Sequence, residues 1–87
     1  MMSKQKLQSV IMQLVRKRGS SKTICPSEAA QVIASDGNWR ELMDDTRDAA
    51  RKLHRQGKIQ IEQQGKPVDP DQYSGPIRLR LKEDSDE

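Results

Sequence analysis

Apolar residues near the start of the chain recur at helical spacing: Leu7, Val10, Ile11, Leu14 and Val15 draw one stripe between charged and amide side chains. The spacing predicts a helix over about residues 3–18, with Ser3 as its cap. Gly19 follows a basic last turn that suits the negative end of the helix dipole. A short extended piece, residues 22–25, leads into Pro26, which is favoured at the first helical position because its missing N–H is not needed there. With Cys25 as cap, Glu28 stands three places on, where a carboxylate bonds back to the cap N–H. This second helix carries Ala29, Ala30, Val32 and Ile33 and is expected to end before Asp36-Gly37. A third helix is expected from the cap Asn38 to the stop at Gly57, with Glu41 three residues after the cap. Its inner face is Trp39, Leu42, Met43, Thr46, Ala49, Ala50 and Leu53.

After Gly57 the period changes to two. Ile59 and Ile61 alternate with Lys58, Gln60 and Glu62, while Ile77, Leu79 and Leu81 alternate with Arg78, Arg80 and Lys82. The alternation predicts strands over 58–63 and 77–82, joined by a polar loop with three prolines and two glycines. Two amphipathic strands are not stable alone, so their apolar faces must cover the helices. With residues 22–25 as a third strand, the order is helix, strand, helix, helix, strand, long turn, strand. That is an α+β domain, a winged helix-turn-helix with a small antiparallel sheet, occupying residues 1–82 as a single unit.

Composition adds limits. Leu, Ile and Val supply 16 of the 87 residues and Phe none, a lean set whose periodicity still favours folding. No run approaches the roughly 18 apolar residues of a membrane span, and no signal peptide is expected. A single cysteine allows no disulfide within the chain and fits a reducing cytoplasm, the expected location. Charge is blocked: residues 1–27 carry six cations and no acid, and residues 28–48 carry six acids against two cations. Residues 49–66 return to five cations against Glu62. The last five residues, 83–87, hold four acids and nothing to bury, so a disordered acidic tail is expected there. Without the tail the net charge of +3 becomes +7, a surface able to attract polyanions.

Four segments also carry a family likeness: Lys22-Thr23-Ile24-Cys25-Pro26-Ser27-Glu28, Asn38-Trp39-Arg40-Glu41-Leu42-Met43, Gly65-Lys66-Pro67-Val68-Asp69-Pro70 and Gly75-Pro76-Ile77-Arg78-Leu79-Arg80. Together they resemble an uncharacterised bacterial domain family of unknown function that is assigned to the winged-helix superfamily. The resemblance runs from the first helix to about Leu81 and implies the fold. It brings no activity, ligand or catalytic residue with it.

In a winged helix that binds duplex DNA, the third helix enters the major groove and the loop between the strands meets backbone or minor groove. On the outer face of the expected third helix lie Arg40, Arg47, Arg51 and Arg55. The first three are the candidates for reading bases, because arginine pairs bidentately with guanine. Lys58, Lys66, Arg78 and Arg80 are candidates for phosphates, which position a protein without reading sequence. Arg16, Lys17, Arg18 and Lys22 are a further phosphate cluster. The plain alternative is that these charges solvate exposed faces, with Arg78, Arg80 and Lys82 guarding a sheet edge. Against DNA stand Glu41, Asp44, Asp45 and Asp48, which crowd the leading half of the helix and would face a duplex with one negative charge per roughly 1.7 Å.

Two functions follow as expectations. The first is nucleic-acid binding to double-stranded DNA, with a role in bacterial transcriptional regulation. The second is a protein-interaction module that uses the acidic third helix and makes no direct nucleic-acid contact. No extra dimerisation helix is present, so a monomer or weak homodimer is expected. Enzyme chemistry is not expected: no phosphate-cradling glycine loop and no Ser–His–acid or Cys–His set is suggested. No metal or cofactor is implied, since His54 is the single histidine, stands far in sequence from Cys25 and reads as solvated. Cys25, at a helix N-terminus, reads as a small buried residue, with a redox-sensing thiolate as the sharper alternative. Trp39 is expected to seal the third helix on the second, and Tyr73 to pack the long loop.

Overall fold

The structure, a computed structural model, describes residues 2–34, 37–73 and 75–82; the expected acidic tail and the Asp36 end of the second helix lie outside them. Helix α1 spans Met2–Arg18, β1 Thr23–Ile24, α2 Pro26–Ile33, α3 Met43–Arg55, β2 Ile59–Gln63, β3 Lys66–Pro67 and β4 Arg78–Leu81. A 3-10 turn over Asn38–Leu42 leads into α3. The class is α+β, three helices against one antiparallel sheet of strand order β1-β4-β2-β3, consistent with a winged-helix-like fold. Among the described residues no helix is long and apolar enough to cross a membrane.

The core forms where the predicted stripes meet. Leu7, Ile11 and Val15 of α1, Ile24 of β1, Leu53 of α3, Ile59 and Ile61 of β2 and Leu79 of β4 are all buried, and Ala29, Ala49 and Ala50 let the helices approach closely. Each fully buried Leu or Ile contributes about 1.5–3 kcal/mol, so this short set carries most of the folding drive. Ile59 stands opposite Leu81 and Ile61 opposite Leu79, which places one face of the β2–β4 pair on the helices and the other outward.

Local signals explain the joints. The Cys25 N–H donates to Glu28 Oε2 at 3.0 Å, and the Glu28 N–H donates to the Cys25 carbonyl at 2.9 Å. The other Glu28 oxygen accepts from Arg18 Nη2 at 2.7 Å, tying the end of α1 to the start of α2. At the end of α3 the Lys58 N–H bonds the Leu53 carbonyl and the Gly57 N–H bonds the His54 carbonyl, a Schellman arrangement. It requires the positive φ of 75° that Gly57 adopts without a Cβ clash. This turn aims β2 back across the helices.

Four expectations need correction. α1 begins at Met2, so Ser3 lies inside its first turn and does not cap it. Asn38 is likewise not a cap: Gly37 precedes a tighter 3-10 turn, and the α-helix proper starts at Met43. Val32 faces solvent at 58% exposure, because Pro26, Ala29, Ala30 and Ile33 follow the i, i+3, i+4, i+7 spacing of the inward stripe and Val32 falls outside it. The loop after β2 also contains a strand, β3, which pairs Lys66 with Gln63 and Pro67 with Glu62. Gln64 and Gly65 join β2 to β3 with φ of 53° and 82°, the two-residue hairpin turn whose twist matches paired strands.

Candidate nucleic-acid interface

Each cation singled out by the sequence can be placed by what holds it. In the 3-10 turn, Arg40 is exposed and lies over the half-buried Trp39 ring, 4.7 Å from its centroid, an arrangement that uses the charge locally. Arg47 Nη2 donates to Asp44 Oδ1 at 2.8 Å; Asp44 is 93% exposed, so this pair is worth at most about 0.5 kcal/mol and yields readily. Arg51 Nη2 lies 3.2 Å from Asp48 Oδ1, and Asp48 Oδ2 lies 3.4 Å from Lys4 Nζ on α1. The leading half of α3 therefore keeps two poorly neutralised acids, Asp44 and Asp45, next to the exposed Glu41, while its second half is basic.

The long connection between β3 and β4 reaches this basic half. Asp69 Oδ1 accepts from the Asp71 N–H at 2.9 Å, a local turn that sets the Asp71 carboxylate toward α3. Its Oδ1 stands 3.8 Å from Arg51 Nε and 4.0 Å from Arg55 Nη2. Tyr73, half-buried, packs on the core and anchors the same connection. Helix α3 and this connection thus meet on one side of the molecule.

The sheet separates the remaining candidates. Arg80 donates from Nε and Nη2 to the two oxygens of Glu62 at 2.7 and 3.2 Å, and from Nη1 to the Ser20 carbonyl at 2.9 Å. Glu62 is 4% exposed, and its hydrogen bond raises the Arg80 pKa above the ordinary value, so the guanidinium stays charged as a structural group. Arg78 donates to Thr23 Oγ1 at 2.9 Å and to the Thr23 carbonyl at 3.3 Å; it is exposed and has no carboxylate partner among the described residues. Lys58 and Lys66 are exposed and, among the described residues, equally without a carboxylate. They do not sit together, because Lys66 pairs with Gln63 at one end of β2 and Lys58 precedes the other, about 17 Å away at the usual strand rise.

Packing also gathers cations from separate elements, among them Lys4 and Lys52, which sequence reasoning passed over. The Lys82 N–H bonds the Lys58 carbonyl, and Arg16, Lys58 and Lys82 line one recess beside the end of α1. Lys4 and Lys52 join Arg51 and Arg55 around another, between α1 and α3. No signal short of the tertiary packing marks either group, since its members come from separate elements. Arg18, in contrast, is taken up by Glu28 and the Thr23 carbonyl. Lys58 and Lys66 thus stay exposed and without a carboxylate among the described residues, whereas Arg47 of α3 is paired and Arg40 of the 3-10 turn is stacked.

No match was found among curated proteins. A family model matches residues 4–82, nearly the whole chain, and its description is protein of unknown function (DUF3253). The chain belongs to that family.

Proposed function

We propose that this chain is a winged-helix domain that binds double-stranded DNA through its phosphate backbone and acts in bacterial transcriptional control. The observation that carries the reading is the approach of the wing loop to the basic second half of α3, with Asp71 within 4.0 Å of Arg51 and Arg55. Arg51, Lys52 and Arg55 form the core of the proposed contact, and Lys66 on the hairpin is a further candidate for a backbone phosphate. Arg47 is available once its weak pair with Asp44 opens, and Arg40 once it leaves Trp39. Arg78 and Lys58 extend the contact from the sheet, whereas Arg80 belongs to the fold.

The test is a titration of random duplex DNA at about 50 and 200 mM salt. Each phosphate contact adds about 0.9 to the slope of log affinity against log salt. Lys66→Gln lowers that slope by about one and weakens all sequences alike. Absence of binding at the lower salt overturns the reading.

A second reading has its own support. Glu41 of the 3-10 turn and Asp44 and Asp45 at the start of α3 form an acidic patch, and Asp44 at 93% exposure is poorly neutralised by Arg47. That patch suits a basic protein partner, with the chain acting as an interaction module. Charge reversal there, Asp44→Lys, abolishes partner binding under this reading and strengthens DNA binding under the first.

A further inference from the structure

Between α1 and α3 lies a recess of about 180 Å³ lined by Lys4, Gln8, Asp48, Arg51, Lys52 and Arg55. Four cations face one carboxylate. Asp48 is shared between Lys4 and Arg51 at 3.4 and 3.2 Å, so it neutralises neither fully. Arg51 is the most informative residue. Its Nη2 has Asp48, its Nε has only the distant Asp71, and its Nη1 is buried with no acceptor among the described residues. A buried donor without an acceptor costs free energy, a cost that an anion drawn in beside Arg51 would offset. Asp71, at 3.8 and 4.0 Å from Arg51 and Arg55, lies beyond hydrogen-bond length; it supplies charge at the rim without satisfying the donors.

We infer that this recess binds a single phosphate group, with Arg51 as its fork, Lys4, Lys52 and Arg55 as its cationic walls, and Asp71 as the carboxylate it displaces. A tetrahedral oxyanion offers more acceptor oxygens than a carboxylate and matches the guanidinium fork bidentately. Gln8 adds an amide donor at the wall. The inference shares the basic half of α3 with the DNA reading, but its ligand is one phosphate, whether part of a nucleic-acid backbone or the terminal group of a small phosphomonoester.

Inorganic phosphate is titrated into the folded chain at constant ionic strength, with chloride as control, and followed by amide NMR shifts. Saturable shifts are expected at Gln8, Arg51, Lys52 and residues 71–72. Arg51→Lys, which keeps the charge and loses the fork, removes the saturation while its unchanged spectrum elsewhere shows that it folds. Asp71→Asn removes the competing carboxylate and tightens phosphate about two- to five-fold. A short oligonucleotide with and without a 5′-phosphate separates the sources: dependence on the terminal group indicates a monoester, indifference a backbone diester. Phosphate saturation without DNA binding sustains this inference and removes the DNA reading. DNA binding that Arg51→Lys leaves intact, with only linear phosphate shifts, does the reverse. Linear shifts spread over all exposed lysines overturn the inference outright.

Discussion

The Gln64-Gly65 turn offers a sharp test of how the β2–β3 hairpin is built. Both residues have positive φ, 53° and 82°, and a Cβ placed on Gly65 meets nothing within 4 Å. Gly65→Ala therefore adds no clash and removes no contact, so its whole effect is conformational. An L residue in this region loses about 1–2 kcal/mol. Restricting the unfolded chain returns about 0.4–1 kcal/mol, which leaves a net loss of about 1 kcal/mol. For a domain of this size that lowers Tm by about 4–8 °C. Gln64→Asn has the opposite sign, because asparagine tolerates positive φ and leads the residues preferred at the first position of this turn. Thermal unfolding followed by circular dichroism, repeated by urea titration, reads both. An unchanged Tm for Gly65→Ala, or a fall for Gln64→Asn, would show that the turn is not the two-residue hairpin described.

The other stability predictions concern buried polar groups. Thr46 is fully buried in α3 and its Oγ1 donates to the Leu42 carbonyl at 2.7 Å, across the junction between the 3-10 turn and the helix. Thr46→Val keeps the shape and loses the bond, and the urea midpoint should fall by the equivalent of about 1 kcal/mol with unchanged m. Arg80→Leu leaves Glu62 buried without its partner and destabilises severely, whereas Arg80→Leu combined with Glu62→Met recovers most of the loss. A double variant no more stable than the single one would remove the ion pair from the explanation.

Sequence and structure agree best where one element carries its own signal. The α1 stripe, the Cys25-Pro26-Glu28 start of α2 and the alternation around Ile61 and Leu79 are each local, and each is found in place. The misses share a cause. Two-residue β3 is too short for any period to reveal, and the 3-10 turn before α3 differs from a helical turn in winding but not in residue spacing. For the candidate site, the residue types were legible and their partners were not. Glu62 with Arg80, Asp71 with Arg51 and Arg55, and Lys4 with Asp48 are meetings between distant elements, so the supply of free cation depends on packing that composition does not encode.

The strand order leaves β1 and β3 as the outer margins of the sheet. One margin has only Thr23 and Ile24 to offer, with the Arg78 side chain clasping Thr23; the other has Lys66 and a proline that lacks an N–H. Neither provides the run of open donors and acceptors that a visiting chain needs to extend a ladder. Extension of the sheet by a visiting strand is thereby disfavoured at both margins.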